Sequence, residues 1–282
     1  MKARYLLLIL FALTFISCRK QHIQQPNPQP VIAADTAILK LKDLTDKGLP
    51  SPYYHFDCND SGYVTKASFA SGLSFYDMIY SDKKLTEMDM NKDIPFDTRK
   101  DNLKYQYDNK GNLTGISVFD KDGVLYRKCF LTFSPSQQLQ QLRWDVQVNS
   151  GFSTELTLGF TYYADGNLET ITYSSSPIDS QPLAFYNDKF EDYDNKPNAD
   201  GFSLIHANPY YLDFVLLPSV HLQLHNPRRV TRTGDGANYI VNYTYSYDAK
   251  GRPTEKKGDF VYTNGTNAGT HADLLTTFSY YD

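Results

Sequence analysis

A chain of 282 residues with 41% hydrophobic and 15% aromatic content has ample material for a folded core, which excludes wholesale disorder. Its net charge of −4, with no basic stretch larger than Arg228, Arg229 and Arg232, excludes a nucleic-acid partner. The aromatic share is uneven, 23 Tyr and 17 Phe against a single Trp, a balance that suits half-buried strand faces with the ring packed and the hydroxyl in water.

Lys2 and Arg4 introduce an apolar run of 12 residues from Tyr5 to Ile16, followed by Ser17 and Cys18. A helix crossing a bilayer needs about 20 apolar residues, so this run is too short to span one. A cationic start, a short apolar core and a small residue before a cysteine predict a bacterial lipoprotein signal over 1–17, cleaved so that Cys18 takes the lipid. The membrane is then a partner through that anchor. Arg19 to Pro30 is dense in Gln and Pro, which favours extended, solvated chain, so 18–34 reads as a tether and 35–282 as a single domain. The other two cysteines, Cys58 and Cys129, sit in an exported, oxidising compartment, where a bridge between them and two separate thiols are both open readings. Between Ala33 and Leu44, the spacing of Ile38, Leu41 and Leu44 fits a helix, whereas the alternation from Leu39 to Lys42 fits a strand.

The rest of the domain repeats itself. Tyr105, Tyr107, Asp108, Gly111, Leu113, Thr114, Ile116 and Val118 mark the clearest copy. Phe160, Tyr162, Asp165, Gly166, Leu168 and Ile171 mark a second, read with a turn one residue shorter, and Tyr243, Tyr245, Tyr247, Asp248, Gly251 and Pro253 a third. Weaker copies open at Phe56, Tyr80, Phe119 and Phe133. The first strand of each copy alternates aromatic with polar residues and so places its rings on one face. Asp caps the turn through backbone N–H groups, and Gly supplies its positive φ. The step from Leu113 to Ile116 changes face on a flat strand, which predicts a bulge. Hairpin upon hairpin predicts an all-β, large antiparallel meander, an open curved sheet or a barrel-like one. The segment 177–227 breaks the rhythm and reads as a long loop, carrying Asp188, Glu191, Asp192, Asp194 and Asp200, then Asn208-Pro209, the apolar run Phe214 to Pro218, and Asn226-Pro227.

The Tyr-x-Tyr-Asp-x-x-Gly-Asn-Leu-Thr copies resemble YD-type repeats. From Tyr53 to Asp282 the chain resembles a family of Bacteroidota lipoproteins of unknown function with a porin-like fold. The resemblance implies a curved antiparallel sheet on a lipid anchor at the outer membrane, and it carries no catalytic residue across. In that group surface display goes with acidic residues behind the lipidated cysteine. Arg19-Lys20-Gln21-His22 departs from this, which implies the periplasmic side.

Chemistry is sparse. Asp57, Asn59, Ser61 and Gly62 imitate the start of a calcium loop, but Ser68 stands where the closing Glu belongs, and a β-turn explains the same residues. His221 and His225 have helical metal spacing, yet the alternation around Leu222 and Leu224 predicts a strand with both rings outward. No metal or other cofactor is expected. The acidic group Asp188, Glu191, Asp192, Asp194 and Asp200 is a candidate contact for an ion or ligand, or a source of two carboxylates for a polysaccharide hydrolase; solvated loop charge is the plainer reading. No nucleophile elbow or phosphate loop is present. Strands such as Tyr243 to Asp248 lack the apolar band of a transmembrane barrel. The expected function is therefore that of a structural or binding module of the envelope, with a protein or glycan partner.

Overall fold

The computed structural model describes residues 41–92, 100–149, 151–177, 183–199, 203–206, 214–217 and 220–282. The expected signal over 1–17, Cys18, the expected tether, Asp200, Asn208-Pro209 and Pro218 lie outside these. The first strands are β1 (Leu41–Asp46), β2 (Tyr54–Cys58), β3 (Val64–Phe69), β4 (Ser74–Ser81), β5 (Lys84–Lys92) and β6 (Asp101–Tyr107). Next come β7 (Leu113–Phe119), β8 (Leu125–Phe133), β9 (Leu139–Val148), β10 (Gly151–Tyr162), β11 (Leu168–Ser175) and β12 (Ala184–Pro197). A short pair, β13 (Ser203–His206) and β14 (Phe214–Leu217), precedes β15 (His225–Gly234), β16 (Tyr239–Tyr247), β17 (Pro253–Tyr262) and β18 (His271–Tyr280).

Sixteen of these strands form one antiparallel meander that closes into a barrel where β1 pairs with β18. The 33–44 ambiguity resolves as strand from Leu41 onward. The expected loop over 177–227 is much shorter than the sequence suggests. Residues 184–197 are the long strand β12, paired with β11 and β15, and its acids stand in the barrel wall. Solvent-facing positions of a paired strand tolerate Asp and Asn, which is why composition alone misled. What remains as an insertion between β12 and β15 carries the hairpin β13–β14. Val215, Leu216, Leu217, Val220 and Leu222 join the same buried cluster as the inward side chains of the wall, so this insertion plugs the lumen. The Tyr105 hydroxyl donates to the Leu216 carbonyl at 2.9 Å, tying wall to plug.

Six turns share one frame, opened by Asn59, Asp108, Asp120, Ser134, Tyr163 and Asp248: the first residue's N–H bonds the fifth carbonyl, and the fourth N–H bonds the first carbonyl. The Asn59, Asp108, Asp120 and Asp248 side chains each accept two further backbone N–H bonds at 2.8–3.0 Å. The fourth position has positive φ in every case, filled by glycine except at Gln137. The Tyr163 turn is therefore the same length as the others, not one residue shorter; Tyr163 holds the place of Asp, and Asp165 caps Asn167 from within the loop. The loop that imitates a calcium site is one of these turns, with the Asn59 amide oxygen spent on Ser61 and Tyr63 N–H groups.

Directly after the turn, the register shifts by one residue, as at Gln106/Tyr107 opposite Gly115/Leu113. The same shift recurs between β2 and β3, β4 and β5, β8 and β9, β10 and β11, and β16 and β17. The extra residue is Thr114 in one copy, Thr65 and Thr86 in others, and each hydroxyl bonds a carbonyl of the strand opposite. The bulge turns both Leu113 and Ile116 inward, each 1% exposed. Tyrosines then join neighbouring hairpins. Tyr107, Tyr162, Tyr193 and Tyr280 donate to the carbonyls of Leu85, Leu139, Leu168 and Pro253, each just past the turn of the preceding hairpin, at 2.6–2.9 Å.

Replacing Tyr107 or Tyr162 by Phe removes one such donor while keeping the ring. Each variant should lose about 1 kcal/mol of unfolding free energy, read as a lower urea midpoint with an unchanged m-value and an unchanged β-type dichroism spectrum.

Candidate functional site

Alternation makes the inner wall apolar and the outer wall polar. Leu103 and Tyr105 face in while Lys104 and Gln106 face water; β4 and β8 alternate likewise, though Ile79 and Phe130 face out and Ser74 and Arg127 face in. Outward ion pairs Lys189–Glu191, Lys257–Glu255, Arg143–Asp145 and His271–Asp259 cover the outside. Two exposed outer rings lie beneath cations, Phe130 under Arg143 at 4.7 Å and Phe152 under Lys128 at 4.2 Å. Tyrosines of the repeats face the lumen, so they pack the barrel and do not offer a stacking surface for sugars.

The acidic group does not converge. Asp188 faces inward, 5% exposed, and accepts from Arg232 Nε at 2.7 Å and Nη2 at 2.5 Å. Arg232 lies over the rings of Tyr186, Tyr239 and Tyr173 at 4.2, 5.1 and 5.6 Å. Burial opposes the Arg232 charge, but the bonds to Asp188 and its negative charge outweigh this and raise the pKa further. Glu191 points outward to Lys189 Nζ at 2.7 Å. Asp192 is exposed, with φ of 57°. Asp194 accepts from the Tyr247 hydroxyl, the Asn226 N–H and the Lys196 N–H. Burial raises its pKa, yet these donors prevail and hold it below the usual value. Strand geometry thus sends Asp188 and Glu191 to opposite faces and gives Asp188, Glu191 and Asp194 separate partners, unlike the facing pair that glycoside hydrolysis requires.

The two histidines also part company. His221 precedes β15, half-buried, with burial pushing its pKa down. His225 opens β15 and its Nδ1 meets the Asn167 amide nitrogen at 3.0 Å. The expected strand with both rings outward is therefore wrong, because the segment is the return from the plug. Among the described residues no three His, Cys, Asp or Glu side chains group as metal ligands. No disulfide joins Cys58 to Cys129. They stand on β2 and β8, six places apart round the wall, where a bridge's reach of about 7 Å between Cα atoms is exceeded. Burial drives the Cys129 thiol pKa up, so it is an inert core group.

The feature that composition concealed is a cavity of about 250 Å³ inside the barrel between β1, β12, β15, β16, β17, β18 and the plug. Leu41, Leu44, Phe190, Val230 and Phe278 give it an apolar side. Asn198 and Gln223, bonded to each other at 3.2 Å, give it a polar rim. Lys256 projects into it above the Tyr243 ring, 5.0 Å from the centroid. Burial lowers the Lys256 pKa, with the charge of Asp46 working the other way. Tyr243 is pushed up to about 12 by burial, then by Asp46 and Asp188. Gly258 opposite is required for this packing: a Cβ there would meet the Tyr243 ring at 2.8 Å.

At the barrel seam a Ser–Asp–His cluster stands on the outer wall. Asp43 accepts from Ser279 at 2.7 Å and meets His55 Nδ1 at 2.6 Å, while His55 Nε2 meets Asp57 at 3.1 Å. Asp43 sits between the other two, whereas nucleophilic catalysis needs the imidazole between hydroxyl and carboxylate. The cluster is a clip across β18, β1 and β2.

No family model matches the chain, and neither does any curated protein. Solved structures do. The barrel is similar to that of a porin-like protein from Bacteroides uniformis ATCC 8492, with a TM-score of 0.50 and 11% identity over 81% of this chain and 89% of that one. It is similar also to a porin-like protein from Bacteroides vulgatus ATCC 8482, with a TM-score of 0.50 and 12% identity over 86% of this chain and 99% of that one. The fold is porin-like. At these identities the likeness concerns the path of the chain, and the porin-like fold here encloses a largely apolar, plugged lumen.

The seam clip predicts a pH dependence. Burial lowers the His55 pKa, but bonds to Asp43 and Asp57 raise it above 6.5 overall. Its contribution is then complete below pH 6.5 and lost as pH rises through the folded value. Asp43, desolvated but held below 3.8 by His55 and Ser279, contributes above pH 3.8 and loses its share as pH falls through its folded value. The urea midpoint should therefore decline from about pH 6 to about pH 8, and His55→Asn should flatten that slope.

Proposed function

We propose that this chain is a lipoprotein of the bacterial envelope, of the YD-type Bacteroidota group, whose barrel is a binding module and not a pore. The observation that carries this reading is the polarity of the wall. Lys104, Lys128, Arg143, Lys189 and Lys257 face outward from the strands, and a basic side chain on a lipid face costs about 2–4 kcal/mol at the bilayer midplane. The lumen, filled by side chains and by the plug, offers a cavity in place of a channel. Such a barrel needs another means of reaching a membrane. The signal pattern ending at Cys18 supplies one, and Arg19-Lys20 behind the cysteine favours the periplasmic side of the outer membrane. An envelope protein or a glycan is the partner class that location offers. The hydrolase reading loses its ground because Asp188 and Asp194 are both consumed in separate structural bonds.

In cells fed radiolabelled palmitate, the wild-type chain should take up label and Cys18→Ser should not. In planar bilayers the purified protein should give no stepwise conductance; discrete channel openings would overturn the binding-module reading. Asp192→Asn and Asp194→Asn should leave envelope glycan turnover unchanged.

A further inference from the structure

Five hairpins whose turns share one end of the barrel place two side chains inward just after the turn, three residues apart: Val64 and Ala67, Leu85 and Met88, Leu113 and Ile116, Leu139 and Leu142, Leu168 and Ile171. All ten are aliphatic or methionine and buried. The hairpin of β16 and β17 has the same frame and the same bulge, but its pair is Pro253 and Lys256. At this end of the barrel a cation therefore occupies the position that the five other hairpins give to an apolar side chain; the Asp120 turn, at the opposite end, carries Lys128 there on the outer wall.

That substitution coincides with the cavity. Among the described residues, Lys256 has no hydrogen bond and no ion pair; its neighbour is the face of Tyr243. Asp46, whose charge reaches it, accepts a hydrogen bond from Thr276. Lys256 is half-buried, and an ammonium partly desolvated without a counterion favours a ligand that supplies the missing charge. The opposite side of the cavity is Leu41, Leu44, Phe190 and Phe278, which would exclude a second charge. The cavity volume of about 250 Å³ is just below the range of drug-sized sites and suits a small molecule.

We propose that Lys256 anchors a monocarboxylic acid with an apolar body, about a dozen heavy atoms in all, inside the barrel. The carboxylate pairs with the ammonium beside the Asn198–Gln223 rim, and the body lies against Leu41, Leu44 and Phe278. One cation matches one negative charge, which selects a carboxylate over a phosphate dianion. This deepens the binding-module reading and rests on it.

The test uses the full-length protein in phosphatidylcholine nanodiscs, titrated calorimetrically with 4-phenylbutyrate, with 4-phenylbutanol and with inorganic phosphate, against empty nanodiscs. The wild type should bind the acid at least tenfold more tightly than the alcohol, and Lys256→Met should abolish that preference. Methionine holds the equivalent place at Met88, so the variant should fold and melt at or above the wild-type temperature without ligand. Equal acid affinity in wild type and Lys256→Met, no binding of the acid at all, or tighter binding of phosphate would overturn the proposal. Palmitate labelling and bilayer conductance read the envelope assignment separately, so either can fail alone.

Discussion

The one-residue bulge after each Asp-type turn is the constraint from which the barrel follows. On a flat strand, Leu113 and Ile116 would face opposite sides; with Thr114 bulged, both enter the core and the alternation resumes in the same sense. The Leu113 position does a second duty in its neighbours, where its backbone carbonyl receives a tyrosine hydroxyl from the next hairpin, as Leu85 does from Tyr107 and Leu139 from Tyr162. Turn, bulge and hydroxyl bond are thus one unit. It explains why the repeat reads Tyr-Asp-x-x-Gly-x-Leu-Thr and why phenylalanine, as at Phe133, is a weaker copy: the ring packs but the link is absent.

Much of this was legible. Alternation from Tyr105 to Tyr107 and the turn chemistry of Asp108 and Gly111 announce hairpins, and the Leu-to-Ile step announces the bulge. Closure was not legible, since an open sheet and a barrel share the same local pattern; only the pairing of β1 with β18 decides it. The acids of β12 misled because Asp, Glu and Asn are loop residues by composition, whereas Asp188 is held in the wall by Arg232, 44 positions away in sequence. Lys256 escaped notice because it sits in the charged run Glu255-Lys256-Lys257, which reads as a solvated face. Aligning the repeats on their turns would have shown it at an Ile116 position.

The two parts of the lumen differ in character. From β2 to β11 the inward residues are mostly aliphatic and aromatic, with Ser74, Asp101 and Arg127 among them, and close upon the plug. From β12 to β18 they include Asp188, Arg232, Tyr239, Tyr243 and Lys256, and here the cavity lies. The ion pair Asp188–Arg232, boxed in by three tyrosines, is satisfied; Lys256 has no such partner. A fold that pairs Arg232 with Asp188 and leaves the half-buried Lys256 unmatched separates scaffold from binding group within a few strands.

Closure has a consequence for life at high surface density. In an open sheet the outermost strands present rows of bare N–H and C=O groups that invite strands of another molecule. Here the outermost candidates, β1 and β18, satisfy each other through five residue pairs and the Asp43–Ser279 bond. Copies held side by side at one membrane would find no open edge in the barrel wall to recruit, and would meet through its charged outer faces.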